Sequence, residues 1–166
     1  NTDEDKAFIL ACKYGRFEVI KYLVKAGADV NKYGKLVLEK SLYKLKFKVI
    51  KYLVDLGVSI DSIKQAALIR ACALRKIKCV KYLVELGADI HLNEEELVYD
   101  SCKDGKLEIV KYLVELGANI NIESKPLIVM ASKKGYLEIV EYLVSKGINV
   151  NILGDLAIKK ACEKGH

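Results

Sequence analysis

The tetrad Lys21-Tyr22-Leu23-Val24 returns as Lys51-Tyr52-Leu53-Val54, Lys81-Tyr82-Leu83-Val84, Lys111-Tyr112-Leu113-Val114 and, with one change, Glu141-Tyr142-Leu143-Val144, always 30 residues on. A fixed period of this length constrains the fold more than any single residue, because each copy must be one supersecondary unit that buries its apolar side against a neighbour. Gly27, Gly57, Gly87, Gly117 and Gly147 keep the same step, and so do the small residues Ala11, Ser41, Ala71, Ser101, Ala131 and Ala161. The chain of 166 residues therefore reads as one array: units 1–30, 31–60, 61–90, 91–120 and 121–150, then a partial unit 151–166. With 52% hydrophobic and 30% charged residues it is too apolar to stay disordered. No charge-free apolar run reaches the roughly 18 residues of a membrane span. The acidic opening Asn1 to Lys6 and the short run Phe8 to Cys12 do not make a secretory leader.

Each unit reads as two helices joined by a tight turn. In the second helix, Val19, Ile20, Leu23 and Val24 share one stripe while Lys21 and Lys25 point away. Gly27 then stops it in the left-handed C′ conformation, and Asp29 and Asn31 suit the following turn. The first helix is expected to be the shorter, Ala7 to Cys12 in the first unit and Ala67 to Ala73 in the third. Gly15, Gly105, Gly135 and Gly165 sit between helices, replaced by Leu45 and Arg75 in the second and third units, while Gly34 and Gly154 read as isolated turn residues. The expected fold class is all-α, a curved solenoid of stacked helix-turn-helix units.

The run Gly105-Lys106-Leu107-Glu108-Ile109-Val110-Lys111-Tyr112-Leu113-Val114-Glu115-Leu116-Gly117-Ala118-Asn119-Ile120-Asn121 resembles the helix-and-turn signature of ankyrin repeats, and the likeness recurs in all five units. Two features depart from that family. The period is 30 rather than about 33, and of the T-P-L-H opening only Pro126 before Leu127 remains. The missing residues fall where the family builds a β-hairpin finger, so shortened fingers with little or no strand pairing are expected. Short units of this kind, in a chain rich in Lys, Ile, Tyr and Asn, are similar to the ankyrin sets encoded by giant DNA viruses of amoebae.

The resemblance implies a protein-binding scaffold working through its concave face and loop tips, without catalysis. Carried over by position, the partner-binding residues are Lys32, Tyr33 and Lys35 in the second unit; Ser62 and Lys64 in the third; Leu92, Asn93 and Glu94 in the fourth; Ile122, Glu123 and Lys125 in the fifth. Tyr43, Lys44, Arg70 and Lys103 join them from the first helices.

Reactive chemistry is poorly supplied. Cys12, Cys72, Cys102 and Cys162 share one phase of the repeat, and Cys79 takes the phase of Val19, Ile109 and Ile139. Equivalent positions on stacked helices lie about 8–10 Å apart, beyond the roughly 7 Å limit for disulfide Cα atoms. They read as reduced packing residues, which favours a reducing, cytoplasmic compartment. No C-x-x-C pair exists, and with only His91 and His166 no metal site or cofactor is expected. His91 takes the turn phase of Asn31, Asp61, Asn121 and Asn151, where a short polar side chain bonds nearby backbone. No nucleophile elbow or phosphate-binding glycine loop is present.

Tyr22, Tyr52, Tyr82, Tyr112 and Tyr142 keep phase and read as a structural ladder, whereas Tyr14, Tyr33, Tyr43, Tyr99 and Tyr136 do not and are freer to meet a partner. Charge is polarised within the net +6: residues 31–60 sum to +5, 61–90 to +3 and 91–120 to −4. A nucleic-acid track would carry one sign throughout, so this pattern argues against that partner and for a protein surface or a second copy. At the ends, Thr2 caps an acidic first turn, and Leu153, Leu156 and Ile158 leave the last half-unit greasy. That predicts a piece of a longer array, further repeats beyond it, or an end that self-associates.

Overall fold

The computed structural model describes residues 2–123, 126–148 and 150–166, with the side chains of 2–4, 94 and 150–153 outside the description. Its described residues form eleven helices and no strand. In chain order they are α1 (Thr2–Tyr14), α2 (Phe17–Lys25), α3 (Val30–Tyr43), α4 (Phe47–Asp55), α5 (Lys64–Ala73), α6 (Ile77–Glu85), α7 (Leu92–Lys103), α8 (Leu107–Glu115), α9 (Leu127–Lys133), α10 (Leu137–Ser145) and α11 (Val150–Cys162). The all-α helical repeat is thus as expected, and the finger segments contain no described strand.

Every second helix spans nine residues and ends by the same device. Ala28 N–H reaches back to the Leu23 carbonyl (3.0 Å), as Val58 does to Leu53, Ala88 to Leu83, Ala118 to Leu113 and Ile148 to Leu143. The glycine between takes φ of 79 to 102°. This is the Schellman arrangement, and the buried Ala88, Ala118 and Ile148 supply its apolar contact.

The first helices correct two expectations. They run from 7 to 14 residues and are mostly longer than their partners, not shorter. Where no finger intervenes, the chain re-enters helix at once: Asp29 Oδ1 accepts the Lys32 N–H at 2.9 Å and caps α3 directly. Gly34 and Gly154 lie inside α3 and α11 rather than in turns. Gly34 is buried there because a Cβ would meet Val58 Cγ2 at 2.6 Å, so close approach overrides its poor helix propensity. First helices end like second ones, Lys46 N–H bonding the Ser41 carbonyl at 3.0 Å and Lys106 N–H that of Ser101 at 2.9 Å. Leu45 and Arg75 adopt the left-handed conformation (φ 48° and 55°) that glycine takes in the other units.

The chain forms two compact units, Asn1–Ala71 with Lys78–Ala88, and Cys72–Ile77 with Asp89–His166. In the first, α1 packs on α2 and α3, and α3 on α4. Phe8, Ile20, Leu38, Ile50, Leu53 and Leu83 are fully buried. In the second, α7 packs on α8 and α9, α10 on α8 and α9, and α11 on α9, around Ile109, Leu113, Leu127, Ile139 and Leu143. The tyrosine ladder is structural. Tyr52 meets Phe17 edge-on (centroids 5.6 Å apart), Tyr82 meets Phe47 likewise (5.7 Å), and Tyr142 OH donates to the Lys111 carbonyl at 3.4 Å. Tyr22, on α2 at the start of the series, is 71% exposed.

Cys12, Cys72, Cys79 and Cys102 are buried free thiols. Burial pushes Cys12 and Cys102 up to about 12 and Cys72 to about 11. Cys162, expected among them, is instead exposed on α11, which has its packing partner α9 beneath it and no later helix above it among the described residues.

Ser41 and Ser101 occupy the small-residue phase, fully buried, and neither Oγ has a partner among the described residues. A buried unsatisfied hydroxyl costs about 1–3 kcal/mol. Ser101→Ala, which installs the residue carried by Ala71 and Ala131, is expected to stabilise the protein by about 1 kcal/mol, read as a higher urea midpoint with an unchanged slope.

Candidate partner-binding surface

Helical phase decides which side chains remain free. Most apolar residues repeated in every unit are consumed by packing, Tyr22 being an exposed exception, so the candidate surface draws on residues that differ between copies. On α3, on α5 and in the turn just before α5 these are Glu39, Tyr43, Ile63, Ala66 and Arg70, which with Leu42 and Ala67 line a groove of about 200 Å³. Glu39–Tyr43 and Ala66–Arg70 are each four apart on their helix and so share its face. Arg70 is held at two points: its guanidinium carbon lies 4.0 Å from the Tyr43 ring centroid, and its Nε donates to the Tyr43 carbonyl at 2.8 Å. Tyr43 remains 64% exposed. Neither Arg70 Nη nitrogen nor the Glu39 carboxylate has a partner among the described residues.

Other expected site residues scatter. Lys32, Tyr33 and Lys35, placed on a finger tip by position, lie instead within the first turns of α3, because α3 begins at Val30. Lys32 and Lys35 are exposed, but Tyr33 is half-buried and its OH donates to Asp5 Oδ2 at 3.0 Å, tying α3 to α1. Lys64 opens α5 and is a strap: it pairs with Asp61 at 3.2 Å and donates to the Leu86 carbonyl at 3.3 Å. Ser62 is an exposed turn residue. Leu92 and Asn93 also fall in a helix, α7, not in a loop tip. Leu92 is half-buried, while Asn93 is exposed, left-handed (φ 51°) and bonded to Glu96 at 2.8 Å. Lys44 and Lys103 are exposed on or beside their first helices; Ile122 is half-buried and Glu123 exposed in the segment before α9. Lys125 lies outside the described residues, as does the side chain of Glu94. Of the phase-breaking tyrosines, Tyr14 is 57% exposed, whereas Tyr136 is half-buried and packs over Gly105.

The sequence reading missed Glu39, Ile63 and Ala66. Their signal was available in the i, i+4 spacing to Tyr43 and Arg70 and of Ile63 to Ala67. It also misplaced the turn chemistry: at this turn Asp89 Oδ1 accepts the His91 N–H (2.8 Å) and Asn119 Oδ1 that of Asn121 (2.9 Å). The acceptor is two residues earlier than expected, with the His91 phase donating its backbone.

Lys35, Lys40 and Lys44 are exposed on or beside α3 and Lys48 on α4, whereas α7 carries Glu95, Glu96 and Asp100. His91 Nδ1 lies 2.6 Å from Glu95 Oε1, and that hydrogen bond, reinforced by the Glu95 and Asp89 charges, raises the imidazole above its ordinary value. A raised folded-state value means the contribution of His91 to stability is complete below the unfolded value and is lost as pH rises through the folded one. Glu95→Gln is expected to return the His91 titration, followed by NMR of its ring protons, toward the ordinary value.

Among the described residues no group of three or more His, Cys, Asp or Glu converges as a metal site, and no helix is long and apolar enough to cross a membrane. The family described as Ankyrin repeats (3 copies) matches residues 1–64 and 97–166. No curated protein matches the chain.

Proposed function

The chain belongs to the ankyrin-repeat family, and from that premise we propose that it is a non-catalytic scaffold whose single array binds a protein partner through the first-helix, concave side and the loop tips. Ankyrin repeats are generally protein–protein interaction modules. One observation carries the reading to particular residues. Repeated side chains such as Leu53, Leu83 and Leu113 are buried, while Tyr43, Lys44 and Arg70, which change from copy to copy, face solvent or line a groove. The buried free thiols support a reducing compartment, the host cytoplasm if the Lys-, Ile-, Tyr- and Asn-rich usage reflects a giant-virus source. The target-recognition portion of a larger adaptor would use the same surface.

The polarised charge favours a second reading, an assembly component in which the basic stretch of one copy meets the acidic stretch of another. Affinity capture at low and raised salt separates the two. Salt-robust capture of one protein supports the scaffold, and concentration-dependent sedimentation of the pure chain supports assembly. Steeply salt-dependent retention on DNA, with neither of these, would overturn both.

A further inference from the structure

We propose that the groove between α3 and α5 is a receptor for an acidic peptide segment in which a carboxylate stands beside an apolar side chain, Arg70 taking the carboxylate and the groove floor the apolar group. This rests on the scaffold reading and specifies the chemistry of its partner. Arginine is ordinarily a mobile side chain that loses much rotamer freedom on binding. Here that freedom is already spent: the Tyr43 ring lies 4.0 Å from the guanidinium carbon and the Tyr43 carbonyl holds Nε at 2.8 Å. The two Nη groups are left over, with no partner among the described residues. They form the planar fork that matches a carboxylate with two parallel hydrogen bonds. Beside the fork, the buried Leu42 and Ala67, with Ile63 and Ala66, give an apolar floor.

Charge selects the occupant. Residues 31–60 carry +5, so the region attracts acidic segments from a distance. The groove itself is lined by one cation, Arg70, and one anion, Glu39. That set suits a singly charged carboxylate; a phosphate dianion would face Glu39 with a single arginine to neutralise it.

A random-peptide display selection on the intact chain tests this, followed by fluorescence-polarisation titration of a labelled peptide from the commonest clone. Enriched clones are expected to carry Asp or Glu within a residue or two of Leu, Ile, Phe or Met. Arg70→Lys, which keeps the charge but not the fork, should weaken the labelled peptide about tenfold or more. Changing the peptide's acid to its amide should weaken it comparably. Glu39→Gln should tighten binding a few-fold, a gain that general damage to the fold could not produce. Unaltered circular dichroism of both variants keeps the comparison fair. Clones without an acidic bias, clones whose binding ignores Arg70→Lys, or an empty selection would each overturn the proposal. Capture of a protein partner whose footprint lies elsewhere would leave the scaffold reading standing without it.

Discussion

Leu113→Ala is expected to remove about 2–5 kcal/mol from the stability of the protein, a large share of the roughly 5–15 kcal/mol that holds a domain folded. Leu113 is fully buried on α8, and its carbonyl also receives the Ala118 N–H that closes the helix. Truncation leaves a cavity that α8 can collapse into only by disturbing α10, which packs on it. The repeat makes the argument stricter than for a lone core leucine. Leu53 occupies the same phase of α4 with the same burial and the same closing bond, from Val58. Leu53→Ala should therefore cost a similar amount, while Lys111→Ala on the exposed side of α8 should stay within about 0.5 kcal/mol. Urea unfolding measures all three. If Leu113→Ala and Lys111→Ala proved equally mild, the assignment of the apolar stripe to the core would be wrong.

That equivalence also explains what the sequence made legible. The core stripe and the end of each second helix could be read from the period: apolar residues on one face, then a glycine whose positive φ lets the next N–H reach back. First helices could not, because their starts depend on what replaces the finger. A side-chain cap from Asp29 begins α3 at Val30, whereas Pro126 delays α9 to Leu127. Gly34 misled for a different reason. Propensity assigns it to a turn, but the controlling quantity is its distance to Val58, a residue 24 positions away that no local window contains.

The candidate site was legible in part for the same physical causes. Tyr43 and Arg70 stand out because nothing in the stack demands them, and they do meet. Their meeting depends on the juxtaposition of α3 and α5, so the groove they flank, and Glu39 on its rim, emerges only in three dimensions. Lys32, Tyr33 and Lys35 were carried over from a finger that this short repeat lacks, and they landed on helix instead.

Gly105→Ala is expected to destabilise by about 2–5 kcal/mol, and a comparison within the repeat assigns the cause. Gly105 and Gly15 occupy the same phase and have the same φ, 69°. A side chain in this region carries a backbone penalty of about 1–2 kcal/mol, which Leu45 and Arg75 evidently tolerate at φ 48° and 55°. The two glycines differ in what lies over them. A Cβ at Gly15 would meet the flexible stem of Lys46, its nearest atom 3.0 Å away, and the lysine can swing aside. At Gly105 it would meet the rigid, bulky Tyr136 ring at 2.8 and 2.9 Å, and the whole ring, on the residue that precedes α10, must shift to admit it. Overpacking of this kind adds about 1–3 kcal/mol. Gly15→Ala should therefore show the backbone part alone, and Gly105→Ala both parts. In a Tyr136→Ala background, Gly105→Ala should fall back to the Gly15→Ala cost, giving a coupling of about 1–3 kcal/mol in the double-mutant cycle. Zero coupling would mean that the ring has room to move. The glycine would then be required only for its backbone, and the tyrosine would be free to serve a partner after all.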